Sequence, residues 1–381
     1  MKILHLCLAC FYIDGYSYQE NILPRLNKED GHEVKIIAST ETYIDNKNIG
    51  YVKAGCYETE YGVPIVRLAY CSIGNNKIKS KIRKYKGLYK EIALFEPDVI
   101  MAHDLCFASI VEIVEYIKMY PDVRFYADTH TALYNSGKNW ISLNILHRLL
   151  YRRWIQRAVP YINKYFYLST AERDFSINNY GFPTEKMEFY PLGGFPLDDN
   201  EYNGLREKTR IKYNIDKKSL LFIHSGKLNK PKKTIELLKA FSSVGQKDFK
   251  LIIVGSIGDD IKDEFEKMVN NDGRISFLGW KNADELRRLL CAADLYLQPG
   301  SVSATMQNAV CCRCPVLSFP HASYQEFEYG QFIWVETEQE IVNAFKRIEV
   351  GQYDLSKMSL KANQCARELL DYRVLAKRLY E

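Results

Sequence analysis

The chain has 381 residues, 47% hydrophobic and 26% charged, with a net charge of +5. This describes a soluble globular protein too long for one ordinary core, and two domains of roughly 150–200 residues are expected. The small charge excess argues against a dedicated nucleic-acid binder. No apolar run approaches the ~18 residues of a membrane span, and Met1 to Leu8 is too short for a signal peptide.

Candidate strands lie at 2–8, 33–38, 64–68, 98–102, 124–127 and 165–168, and helical patterns at 19–27, 78–94, 107–119, 141–158 and 171–180. Apolar strands separated by helices predict a parallel sheet covered on both faces. A stretch rich in glycine and proline, with Pro183, Pro191, Gly193, Gly194 and Pro196, then interrupts the alternation and reads as an interdomain linker. Strands resume at 220–224, 251–254, 275–278, 295–298, 316–319 and 332–335, with helices at 234–244, 260–269, 283–292 and 304–311. The fold class is therefore α/β, two doubly wound Rossmann-like domains facing across a cleft. The expected boundaries are 1–190 for the first domain, 191–203 for the linker and 204–358 for the second domain. A helix over about 360–380, within a C-terminal segment 359–381, is expected to pack back on the first domain.

Ten cysteines offer no zinc-finger spacing. Cys7, Cys106 and Cys291 lie in apolar segments, and Cys311, Cys312 and Cys314 lack a matching Cys/His pair, so structural thiols, no metal and a reducing cytoplasm are expected.

The segment from Leu221 to Thr234 joins an apolar strand to a helix through Gly226-Lys227 and a lysine-rich turn ending in Lys233. Cations beside the free N–H groups of a helix start suit a diphosphate, although a solvated basic turn has the same composition. Pro299-Gly300 ends a later strand, and Ser301, Ser303, Thr305, Gln307 and Asn308 open the next helix, with Ser303 or Ser301 as its cap. In the first half, Gly15, Tyr16 and Gln19 follow the first strand, while His103 and His130 each follow a strand at its carboxyl end, with Asn135 beside the latter. Such groups suit sugar hydroxyls or proton transfer. Two basic tracts, Lys77 to Lys90 and Arg148 to Arg157, are either solvated faces or a surface for anionic lipid headgroups.

Several segments together resemble glycosyltransferase family 4, nucleotide-sugar enzymes of the GT-B fold. They are Lys2–Leu8 with Tyr18-Gln19-Glu20-Asn21, Gly31-His32-Glu33-Val34, Glu96-Pro97-Asp98-Val99-Ile100 with His103-Asp104, Gly226-Lys227 to Lys233, Phe277-Leu278-Gly279-Trp280, Ala293-Asp294 and Cys314-Pro315-Val316. The resemblance implies that Lys227 and Lys233 hold the donor diphosphate and that His130 meets the transferred sugar. It puts Gly15 near phosphate or acceptor, and Gly279 and Trp280 near the nucleobase. It also implies a retaining hexosyltransferase with no cofactor, using a UDP- or GDP-linked donor. The acceptor would be a glycan or lipid-linked saccharide of bacterial-type surface polysaccharide synthesis, met in the cytoplasm at the inner face of the membrane. One departure stands out: where the family carries a pair of glutamates, this chain has Ser301, Ser303 and Thr305, then Gln307 and Asn308. An amide binds a ribose hydroxyl without a carboxylate's charge-assisted strength. A nucleotide-sugar epimerase or hydrolase, and a non-catalytic sugar-nucleotide-binding partner of another transferase, remain the competing functions.

Overall fold

The computed structural model describes residues 1–44, 48–72 and 74–381. The chain divides into two compact units, Met1–Pro191 with Tyr372–Glu381, and Leu192–Asp371.

The first unit contains β1 (Lys2–Cys7), β2 (Glu33–Ser39), β3 (Glu41–Tyr43), β4 (Ile49–Tyr51), β5 (Gly55–Glu58), β6 (Pro64–Leu68), β7 (Val99–His103), β8 (Arg124–Thr129), β9 (Lys164–Tyr167) and β10 (Met187–Phe189). Its main sheet has the order β10-β9-β8-β7-β1-β2-β6-β5, parallel except where β5 runs against β6. The order reverses between β1 and β7, and the crevice outside the carboxyl ends of those strands is where open α/β sheets take ligands. Both faces of the strands are covered. Leu4 and Leu6 enter one core with Ile100, Phe125, Ile113 and Ile155, while His5 and Cys7 are equally buried on the other face.

The second unit contains β11 (Leu220–Leu228), β12 (Phe249–Ile257), β13 (Ile275–Phe277), β14 (Leu295–Gln298), β15 (Val316–Ser318) and β16 (Phe332–Trp334), ordered β13-β12-β11-β14-β15-β16 and wholly parallel. Its reversal falls between β11 and β14. Phe222, Phe241, Phe249 and Phe345 form an edge-to-face cluster at the heart of this core, with ring centroids 5.0 Å apart for Phe222 and Phe249. Aromatic pairs in this geometry contribute about 0.5–1.5 kcal/mol each beyond their buried area.

Several elements differ from the sequence expectation. The helix expected over 78–94 is two short helices, Asn76–Ile82 and Leu88–Phe95. Arg83 turns left-handed between them (φ 51°), and a bridge between Tyr70 and Tyr85 pins the connection. The interval 191–203 is not wholly a linker: Asp198 caps a helix, Asp199–Lys212, that belongs to the second unit. The helix expected over 360–380 is broken into Leu355–Cys365, a wide turn over Ala366–Leu370, and Tyr372–Lys377. Only its last piece joins the first unit, where the Asn27 amide donates to the Ala376 carbonyl (3.3 Å) and the Tyr190 hydroxyl to the Leu375 carbonyl (2.8 Å).

Candidate functional site

At the carboxyl end of the first sheet, four side chains form a buried relay whose protons are fixed by its ends. His5 Nε2 lies 2.9 Å from Asn27 Oδ1, an oxygen that only accepts, so Nε2 carries the proton. Burial, and then the charge of His103, push the His5 pKa down to about 3. The ring is therefore neutral, and its bare Nδ1 accepts from His103 Nε2 at 3.2 Å. His103 Nδ1 donates in turn to Asp128 Oδ2 at 2.7 Å. Both His103 nitrogens thus donate, which makes it an imidazolium. Burial opposes that charge, but the Asp128 carboxylate overrides it and raises the pKa. Conversely, burial would raise Asp128, and the His103 and His130 cations hold it well below the usual carboxylate range. The other Asp128 oxygen accepts the Asp104 backbone N–H at 2.9 Å.

His130 stands at the open end of this relay. Its Nε2 lies 3.5 Å from Asp128 and 3.6 Å from Glu20, and it has no hydrogen-bond partner. Burial alone would favour the neutral ring; Asp128 and Glu20 together keep it charged. About a quarter of its side chain is exposed, whereas His103 and Asp128 are fully buried. His103 therefore cannot touch an acceptor, contrary to the sequence expectation, and acts from beneath. His103, Asp128 and His130 offer atoms close enough to hold a cation. Both His103 nitrogens are already engaged, with His5 and with Asp128.

Two cavities open on this unit. One, about 260 Å³, includes Ala9, Cys10, Asp104, His130 and Asn135 in its lining. The other, about 270 Å³, includes Gly15 and Tyr16. Gly15 and Tyr16 thus line a different cavity from His130. Asn135 is occupied as a brace: its amide donates to the His130 carbonyl (2.6 Å) and accepts from the Ala132 N–H (2.9 Å). Gln19, almost fully buried, has both side-chain amide atoms unpartnered.

In the second unit, β11 continues through Gly226 and Lys227 to Leu228, so these residues lie on the strand rather than in the turn. The turn proper is Lys230–Lys232, capped by Asn229, after which Lys233 is left-handed (φ 53°) and the helix Thr234–Ser243 begins. His224 ties this corner together. Its Nδ1 donates to the Leu297 carbonyl at 2.8 Å and its Nε2 accepts from the Thr234 hydroxyl at 3.0 Å. Burial keeps that ring neutral, with its pKa lowered to about 4.

The lysines do not divide as their spacing predicts. Lys227 is exposed, and Lys233 donates to the Glu336 carbonyl at 2.7 Å. The buried cation is Lys232. It is 7% exposed, and its Nζ has no partner. Its Cε and Nζ lie 3.4 and 3.7 Å from where a Cβ on Gly226 would stand. Burial lowers its pKa. An uncompensated buried ammonium is costly unless something fills the gap. Sequence spacing did not single out Lys232 from its neighbours; only burial does.

Across the reversal, Gly300 packs directly on the Pro231–Lys232 backbone, and the Ser301 N–H donates to the Pro231 carbonyl at 3.1 Å. Ser303 is not the helix cap, because the helix starts at Thr305 behind Ala304. Its hydroxyl instead accepts the Thr305 N–H at 3.3 Å. Gln307 Oε1 and Gln298 Oε1 are buried and unpartnered, whereas Asn308 is exposed. Gly279 is left-handed (φ 66°), its carbonyl accepts the Gly255 N–H at 2.9 Å, and Trp280 beside it is 73% exposed.

Residues 206–364, nearly all of the second unit's sheet and helices, match the family model described as glycosyl transferases group 1. The chain is a glycosyltransferase. No curated protein matches it significantly. Solved structures similar to this glycosyltransferase include Anabaena Alr3699/HepE in complex with UDP (17% identity, 99% of this chain and 98% of that one, TM-score 0.64). A glycosyltransferase from Rickettsia africae (13%, 99% and 96%, 0.65) and sucrose-phosphate synthase from Thermosynechococcus elongatus (12%, 99% and 96%, 0.62) are also similar. At these identities the likeness establishes the fold, that of the GT-B glycosyltransferases. In the second unit of the glycosyltransferase, Lys232 and Gln298 are polar residues that sequence reasoning passed over, and their unpartnered buried atoms are the signal that finds them.

Proposed function

We propose that this glycosyltransferase moves a hexose from a UDP- or GDP-linked donor to a glycan or lipid-linked saccharide, with retention of configuration. The observation that carries this reading is the buried, unpartnered Lys232 ammonium at the sheet reversal, between Gly226 and Gly300. A leaving nucleoside diphosphate gains negative charge as the sugar–phosphate bond breaks. A preorganised cation in a water-poor site stabilises that charge. Lys227 and the N–H groups beginning the helix at Thr234 add to it. Charge compensation from these groups needs no metal. In the first unit, the charged His130 ring offers an N–H to a sugar hydroxyl, and the relay through Asp128 and His103 holds the ring in place. The amides of Gln298 and Gln307 take the place of carboxylates in reading donor hydroxyls. That the related HepE structures hold UDP and UDP-glucose supports a nucleotide sugar as the donor class here.

No helix among the described residues is long and apolar enough to cross a membrane. Peripheral contact is part of the proposal: Trp140, Ile141, Ile145 and Leu149 are exposed on one segment beside the exposed Arg148, Arg152 and Arg153. Apolar side chains among arginines suit an anionic membrane surface, where a polysaccharide acceptor anchored by a lipid resides. The test of the central reading is melting-temperature shift with UDP, GDP and their sugars, followed by a transfer assay with the nucleotide that binds. Absence of a shift with every nucleotide sinks it.

A further inference from the structure

We propose that the cavity at the carboxyl ends of β1, β7 and β8 binds an anionic group on the acceptor saccharide, phosphoryl or carboxyl, through Arg83 and Lys81. This inference rests on the reading of the first unit as the acceptor side of the transferase.

The cavity has a volume of about 260 Å³, and its lining includes Lys81, Arg83, Asp104 and His130. Arg83 occupies the left-handed position that ends the helix Asn76–Ile82, so its backbone fixes where the guanidinium can reach. One terminal nitrogen makes a long bond, 3.4 Å, to the Cys106 carbonyl, and its Nε is buried with no partner. A guanidinium presents five N–H donors and no acceptor, and a buried donor without a partner is a standing cost. Among the described residues neither Lys81 nor Arg83 forms an ion pair.

The charged groups around this pair do not remove the need for an anion. Asp104 faces the same cavity, but one of its oxygens accepts the Cys106 N–H at 2.9 Å and the other the Thr131 hydroxyl at 2.5 Å. Glu41, buried within electrostatic reach of Arg83, has its pKa raised by burial against the pull of Arg83 and Lys81, and it is not part of the cavity lining. His147, also in the lining, stays neutral with its pKa lowered to about 4 by burial, and its Nδ1 meets the Tyr180 hydroxyl at 2.7 Å. Lys81 and Arg83 therefore border the cavity with only the engaged Asp104 carboxylate in its lining, while His130 is already balanced by Asp128 and Glu20. A neutral sugar offers this pair no counter-charge; an oxyanion takes charge-assisted hydrogen bonds from the Arg83 guanidinium and from Lys81.

The experiment uses the full chain with the donor site saturated by UDP, and measures calorimetric binding of glucose 1-phosphate, glucuronate and methyl glucoside. The expected result is that one anion binds at least about tenfold more tightly than the neutral glycoside, and that Arg83→Gln removes the difference, as charge-assisted pairing requires. Lys81→Gln, at an exposed position, gives the same direction of change in a variant that keeps its fold. The phosphate and carboxylate arms tell which anion the acceptor carries. Equal binding of the neutral glycoside, or anion binding that survives both substitutions, overturns the inference. UDP binding distinguishes this from failure of the transferase reading: UDP held normally with no anion preference rejects only the acceptor site, whereas no UDP binding rejects the donor assignment.

Discussion

A Cβ placed on Gly300 would stand 2.7 Å from the Cα of Lys232 and 2.2 Å from the Pro231 carbonyl oxygen. No side chain fits such gaps without moving the backbone, so glycine at 300 is what lets the loop after β14 rest on the turn after β11. That contact fixes where the Lys232 ammonium lies. Gly300→Ala is expected to shift the 230–232 turn and weaken nucleotide binding about tenfold while unit two still folds, since the displaced atoms are in a surface turn. Isothermal calorimetry with UDP or GDP measures the first, and a cooperative melt the second. Wild-type affinity in this variant rejects the coupling between the two loops.

The neighbouring lysines separate by substitution. Lys232→Met keeps the apolar stem and deletes the buried charge, so loss of a charge-assisted contact to phosphate is expected to cost about 1.5–3 kcal/mol of nucleotide affinity. Without nucleotide the same change should leave the protein as stable or more so, because an unpaired buried ammonium has gone. Lys233→Ala, which loses a bond to the Glu336 carbonyl, should change affinity less than about threefold, within the range of an exposed contact. Lys227→Ala should fall between them. Equal effects at 232 and 233 rule out the assignment made from burial.

Much of this arrangement was legible in the sequence because it follows from periodicity. The strands of both sheets, apart from the edge strands β5 and β10 of the first, and helices such as Ala283–Ala292 come from apolar spacing and capping residues that act locally. His130 was placed at a strand's carboxyl edge by the same logic. What stayed hidden depends on contacts between distant segments. Nothing near His103 in sequence reveals that His5 and Asp128 enclose it, and the run Lys230-Pro231-Lys232-Lys233 gives no sign of which ammonium turns inward. The break at Arg83 was missed for a related reason: lysines and isoleucines spaced for a helix continue across it, and the stop comes from the tertiary bridge between Tyr70 and Tyr85.

The exposed apolar residues of 140–149 give a prediction on membranes. Replacing Ile141, Ile145 and Leu149 together by serine removes side chains that are 43–65% exposed, so folding stability should change by no more than about 1.5 kcal/mol. Binding to vesicles containing anionic lipid, measured by co-sedimentation, should drop about tenfold or more, since each buried apolar side chain contributes about 1.5–3 kcal/mol at such an interface. Raising salt should weaken the wild-type binding through the arginines alone. Unchanged sedimentation of the triple variant removes this segment from the proposed contact.

The histidine relay predicts the shape of the stability–pH curve. His103 and His130 have folded pKa values raised above 6.5, so the stability they add is complete below 6.5 and is lost as pH climbs through those folded values. His5, His147 and His224 are lowered, to about 3, 4 and 4, and remain neutral in the fold while the unfolded chain protonates below 6.5. Their contribution is present above 6.5 and declines as pH falls beneath it. Asp128, held below the usual carboxylate range, adds to the loss at the acid end. Stability should therefore peak near pH 6.5 and fall on both sides. Asp128→Asn removes the anion that keeps His103 charged, so the alkaline decline should flatten. At pH 6.5 the first unit should lose about 3–5 kcal/mol, the usual cost of breaking a buried ion pair. Urea titrations from pH 5 to pH 10 measure both effects, and an alkaline limb that keeps its slope in Asp128→Asn shows that His103 is not the titrating group.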